Sequence, residues 1–251
     1  MIDMSDVYSG KWPARGPLWL KRVFCCVASV CLAMSLAGCT SGVKQVETEA
    51  DDEEGVQSER IASSLEAQID RLLKLSRNDS SYDAFQREAL ERAKETGRVS
   101  DVDYEKAWSN VKQCLYDLGY KEVLLIKYPN GVYRMANVGP SDVKVTSQML
   151  DKWREDKADC MFENVVDVDG IYRLQTANPS LYGNRYEAVA DCLRRAEVVS
   201  KDYTAARFQE DEDKGDYGFD VSDPEAAGCL ASNHSSVDGM YGSDTVMHPF
   251  G

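Results

Sequence analysis

The chain has 251 residues, 43% hydrophobic, 29% charged and 9% aromatic, with a net charge of −14. That length and apolar content suit one core-bearing domain or two small ones. They exclude disorder throughout, a collagen-like repeat and a multi-spanning membrane protein. Nothing in the sequence forms a basic patch able to neutralise phosphates, so nucleic acid is excluded as a partner.

The N-terminus carries Lys11, Arg15, Lys21 and Arg22 ahead of an apolar run over residues 23–38. The run is short of the roughly 20 residues a spanning helix needs, but it suits the apolar region of a secretory signal. It ends in Leu36-Ala37-Gly38-Cys39, which resembles the bacterial lipoprotein lipobox. The resemblance implies cleavage between Gly38 and Cys39 and acylation of the Cys39 thiol by diacylglyceryl with palmitate-type chains. It also implies a lipid-anchored protein on the extracytoplasmic face of the cell membrane. Two acyl chains suffice for stable anchoring without a spanning helix. Residues 1–38 hold four basic and two acidic side chains, so the chain from Cys39 onward carries −16. Such a charge keeps a surface-tethered protein soluble and off anionic headgroups.

Beyond the signal peptide (1–38), residues 39–57 read as a lipidated acidic tether. Glu47, Glu49, Asp51, Asp52, Glu53 and Glu54 leave almost nothing to bury there. A domain over 58–230 follows. Ile61, Leu65, Ile69 and Leu72 recur at helical spacing, and Asn78-Asp79-Ser80-Ser81 breaks the pattern. A second helix carries Phe85, Ala89 and Ala93 to a C-cap at Gly97. A third starts at Ser100 or Asp101, holds Tyr104, Ala107, Trp108, Val111, Cys114, Leu115 and Leu118 on one side, and stops at Gly119.

The period then changes. Residues 122–128 and 132–138 flank Pro129-Asn130-Gly131 and predict a β-hairpin. A helix bearing Val145, Met149 and Trp153 runs to Cys160. Residues 165–175 are ambiguous, because Val165, Val168 and Tyr172 fit a helix while Asp169-Gly170 weakens one. Asn178-Pro179 precedes a helix over 184–197 that holds Cys192, and another begins near 199–203. Residues 210–216 read as an acidic loop, and Asp223-Pro224 as an N-cap with proline in the first turn of a short helix holding Cys229. Residues 231–251 show no periodicity and read as a disordered tail.

Two segments carry a second resemblance. Residues 85–120, with Gly97-Arg98-Val99-Ser100, Asp103-Tyr104-Glu105, Cys114 and Gly119-Tyr120, resemble a stretch found in uncharacterised actinobacterial secreted proteins and lipoproteins. That family pairs a helix-turn-helix half-cystine motif with a later cysteine helix, matched here around Cys192-Leu193-Arg194. The resemblance implies export and disulfides and attaches no activity.

Cys25, Cys26 and Cys31 lie in the signal peptide and Cys39 is the acyl acceptor, leaving Cys114, Cys160, Cys192 and Cys229. An even number in an oxidising compartment predicts two disulfides, with three pairings open. The hairpin returning the chain between Cys114 and Cys160 favours that pair, and with it Cys192–Cys229. No C-x-x-C pattern supports a redox pair or zinc knuckle.

His234 and His248 both fall in the expected tail, which argues against a histidine-based catalytic site. Residues 165–170 mimic part of a calcium loop, but Val165 stands at the first ligand position and Thr176 at the bidentate one. No metal and no cofactor are expected. The fold class expected is α+β, mostly helical, with one β-hairpin and two disulfides. The functional expectation is a non-enzymatic binding or accessory module of the cell envelope with an envelope protein partner. The alternative is a cell-wall hydrolase using paired carboxylates.

Overall fold

Local signals set most of the helix ends. In the computed structural model, which describes residues 59–76 and 84–251, α1 spans Leu65–Ser76 and α2 spans Ala84–Thr96. Gly97, at φ +78°, turns the chain out of α2. Ser100 then caps α3 (Asp101–Asp117), its hydroxyl accepting from the Asp103 N–H and satisfying one of the orphan donors of the first turn. Thr146 caps α4 (Ser147–Asn164) in the same way. After Val165 the chain continues as α5 (Val166–Ala177). Asn184 caps α6 (Arg185–Arg195), Thr204 caps α7 (Ala205–Lys214), and Asp223 caps α8 (Pro224–Ser232), with proline at the position whose N–H needs no partner.

The hairpin pairs β1 (Leu125–Lys127) with β2 (Tyr133–Met135) antiparallel, in the register Ile126 opposite Arg134. Its turn holds Gly131 at φ +84°, where a Cβ would sit 2.5 Å from the Tyr172 hydroxyl, so only glycine fits. Asn130 docks the turn on α8, its amide donating to the Gly228 carbonyl and to Ser232 Oγ. Residues 137–138 do not extend the hairpin. They form β3 (Asn137–Val138), which pairs in parallel with β4 (Val246–Met247).

The segment 165–175, ambiguous by periodicity, is the hub of the domain: α5 packs against α1, α2, α3, α4, α6 and α8. A helix covered on several sides buries residues all round, so Val168, Asp169, Gly170, Ile171, Tyr172 and Arg173 are all buried and no amphipathic stripe survives in the sequence. The core around it is contiguous, from Ile69 and Leu90 through Trp108, Ile171 and Leu193 to Phe208, Leu230 and Met247. The described residues fall in one compact unit, Ser58–Gly251.

Two disulfides staple this core. Cys114–Cys160 joins the C-terminal halves of α3 and α4 (Cα–Cα 5.8 Å), and Cys192–Cys229 joins α6 to α8 (Cα–Cα 5.5 Å). The architecture is α+β and mostly helical, with one antiparallel hairpin and a short parallel strand pair.

Two expectations need correction. The C-terminal segment is not a disordered tail: Val237, Met240 and Met247 are buried, and β4 pairs with β3. The Lys121 N–H donates to the Pro249 carbonyl, and the His248 N–H donates to Glu122 Oε2. Nor are residues 210–214 of the expected acidic loop a loop, because α7 continues to Lys214 and only 215–216 leave the helix. Ion pairs one turn apart, Arg207 with Asp211 and Glu210 with Lys214, support it, and Gly215 closes it in the left-handed conformation at φ +65°. The break at 78–81 lies outside the described residues.

Candidate functional site

The best-built polar cluster lies at the domain centre. Asp169, buried on α5, accepts from the Tyr104 hydroxyl at Oδ1 (2.7 Å) and from Arg173 Nε at Oδ2 (2.5 Å). Asp169 and Arg173 are one helical turn apart, which places both on one face of α5. The guanidinium also donates to the Ala231 carbonyl at the end of α8 and to the Tyr133 carbonyl in β2. The Tyr133 N–H returns a hydrogen bond to Tyr104 Oη at 3.0 Å, and the Tyr104 and Tyr172 rings stack at 3.8 Å. The Tyr172 hydroxyl donates to Asp101 Oδ1 at the start of α3.

The circuit ties α3, α5, β2 and α8 to one buried ion pair. Burial, followed by the Asp169 charge, drives the Tyr104 phenol far above its ordinary range, so it stays protonated and donates. Burial and then the bond to Asp101 push Tyr172 up to about 12. Both Asp169 oxygens are committed to Tyr104 and Arg173, which is the arrangement of a structural node.

His234 sits at the edge of this node in the left-handed conformation (φ +59°). Its side chain reaches solvent, yet surrounding protein and then the nearby Arg173 charge lower its basicity to about 4.

A second feature opens at the surface. Glu212, Gly215, Tyr217, Phe219, Asp220, Val221, Ser236, Val237 and Asp238 line a cleft of about 610 Å³. The end of α7 and its left-handed glycine turn the chain into the aromatic segment 217–219, and the ordered C-terminal segment supplies the remaining lining. Tyr241 N–H bonds the Val221 carbonyl and fixes that segment in place. Beneath the cleft, Asp211 is buried and accepts from the Tyr203 hydroxyl at 2.7 Å. Glu212 forms a two-pronged pair with Arg185, with contacts of 2.7 and 2.5 Å.

Gly38 and Cys39, the expected cleavage and acylation positions, lie outside the described residues, as does the tether. Cys114 and Cys160 are brought together, as are Cys192 and Cys229. Neither the central node nor the cleft was apparent from the sequence; the i, i+4 spacing of Asp169 and Arg173 was the available signal for the first. Among the described residues, no three His, Cys, Asp or Glu side chains converge as ligands for a metal ion, and no helix is long and apolar enough to cross a membrane.

No protein-family model, no curated protein and no solved structure matches this chain.

Proposed function

We propose that this chain is an extracytoplasmic lipoprotein, anchored to the cell membrane through Cys39, whose disulfide-stapled domain acts as a non-enzymatic binding or accessory module of the envelope. One observation carries the reading: each of the four cysteines that follow Cys39 sits in a disulfide. Such a thiol economy suits an oxidising compartment, and it leaves Cys39 as the single thiol of the processed chain. The Leu36-Ala37-Gly38-Cys39 motif supplies the complementary address.

The carboxylate and guanidinium of the central node are spent on holding four elements together, so the module's binding surface lies elsewhere in this reading. Among the described residues, the acidic, aromatic cleft at the end of α7 is a surface feature open to a partner. A partner of the envelope is the expected context for it.

Membrane fractionation of the wild type and Cys39→Ala tests the address. The wild type should partition into detergent after cleavage, and the variant should persist as an unacylated precursor. Equal acylation of both would overturn the reading.

A further inference from the structure

We propose that the cleft at the C-terminal end of α7 is a binding site for an organic ammonium ion. The proposal deepens the binding-module reading and rests on it. Three independent features of the cleft point the same way.

The first is an aromatic corner. The Tyr217 and Phe219 rings lie 5.5 Å apart and are inclined at 59°, both half-buried in the cleft lining. They are backed by buried rings, Phe219 edge-on to Tyr203 and Tyr217 beside Phe208. Two inclined ring faces with rigid support hold a bulky cation by its positive surface. Among the described residues, the chain's own cations sit over Phe85, Tyr133 and Tyr186, and none is placed over Tyr217 or Phe219.

The second is charge that the chain leaves uncompensated. Arg185 answers Glu212, but among the described residues the Asp220 carboxylate accepts from the N–H and hydroxyl of Ser222 and forms no ion pair, and Asp238 forms none either. The Tyr217 phenol is raised above its ordinary range, by burial first and then by Glu212, with Asp211 and Asp238 adding to the rise and Arg185 opposing it.

The third is the helix end. α7 points its C-terminus at the cleft through Gly215, and that end carries partial negative charge. The carboxylates are spread around the cleft instead of converging, which suits a delocalised or bulky ammonium better than a bare metal ion.

Choline is the probe. The full chain, held in a neutral maltoside detergent, is titrated by calorimetry and by ligand-observed NMR. Saturable binding with Kd on the order of 1 mM is expected, weakening as salt rises. The neutral isostere, with a quaternary carbon in place of nitrogen, should show no saturable binding. Phe219→Leu keeps the apolar volume and removes the ring face, so affinity should fall about 5-fold. Asp238→Asn should weaken binding and flatten its salt dependence. Circular dichroism melts confirm that each variant is folded.

Absence of saturable choline binding overturns the proposal, as does equal binding of the isostere or wild-type affinity in both folded variants. A chain recovered with its lipid that ignores choline removes this proposal and leaves the envelope reading standing. A chain that binds choline but is never acylated removes the envelope reading instead.

Discussion

The Tyr104 hydroxyl donates to Asp169 Oδ1 at 2.7 Å, joining α3 to α5 across 65 residues of sequence. The same oxygen of Tyr104 accepts from the Tyr133 N–H, and Asp169 holds Arg173 with its other oxygen. Removing one member of a satisfied buried network leaves its neighbours without solvent to replace the lost partner. Asp169→Asn strips the counter-charge from the guanidinium and should cost about 3–5 kcal/mol, whereas Tyr104→Phe should cost about 1–3 kcal/mol. Urea denaturation measures both, and a change below about 1 kcal/mol for Asp169→Asn would show that the pair carries no structural weight.

His234 imposes a pH dependence of definite sign. Its folded pKa, about 4, lies below the ordinary value of 6.5, so the unfolded chain binds the proton more readily. Stability should be undiminished above pH 6.5, fall as the pH drops from there towards 4, and level off below. Because the side chain reaches solvent, the effect should be about 1 kcal/mol, well short of a fully buried histidine. Asn tolerates the left-handed backbone at this position. His234→Asn should therefore flatten the stability profile between pH 6.5 and 4 relative to the wild type, and identical profiles would contradict the assignment.

The C-terminal segment is part of the core. A chain ending at Asn233 loses the burial of Val237, Met240 and Met247 and the pairing of β4 with β3. At roughly 1.5–3 kcal/mol for each buried apolar side chain, the loss should exceed about 4 kcal/mol. That corresponds to a melting temperature about 8–16 °C lower for a domain of this size. A calorimetric scan decides it, and an unchanged melt would mean the segment contributes nothing.

The two disulfides close sequence separations of 46 and 37 residues. The chain-entropy model assigns each roughly 4 kcal/mol, an upper figure because residual unfolded structure reduces it. Paired Cys→Ser replacements at 114 and 160, or at 192 and 229, should each lower stability by a few kcal/mol without altering the acylation proposed at Cys39. Loss of the proposed lipid in either variant would contradict this by tying folding to processing.

The elements that were legible in the sequence are those with local causes. Ser100, Asp223-Pro224, Gly97 and Gly119 mark helix ends through their own capping or backbone chemistry, and Pro129-Asn130-Gly131 marks the hairpin turn. The pairing of Cys114 with Cys160 follows from the hairpin between them. What stayed hidden depends on distant partners. α5 is buried on many sides, so its hydrophobic period vanishes. Residues 210–214 carry too much charge to read as packed, yet ion pairs along α7 and burial of Phe208 and Asp211 hold them helical. Met240 and Met247 lack any period because tertiary contacts alone order their segment. The cleft inherits that blindness, since its lining comes from the end of α7, the turn after it and the C-terminal segment.

Lipid anchoring and disulfide stapling are both read by the intact mass of the protein extracted from membranes, taken after alkylation under denaturing, non-reducing conditions. The expected result is a chain beginning at Cys39, heavier by a diacylglyceryl group, with Cys114, Cys160, Cys192 and Cys229 unalkylated. A chain retaining residues 1–38, or one carrying alkyl groups on those four cysteines, would contradict it.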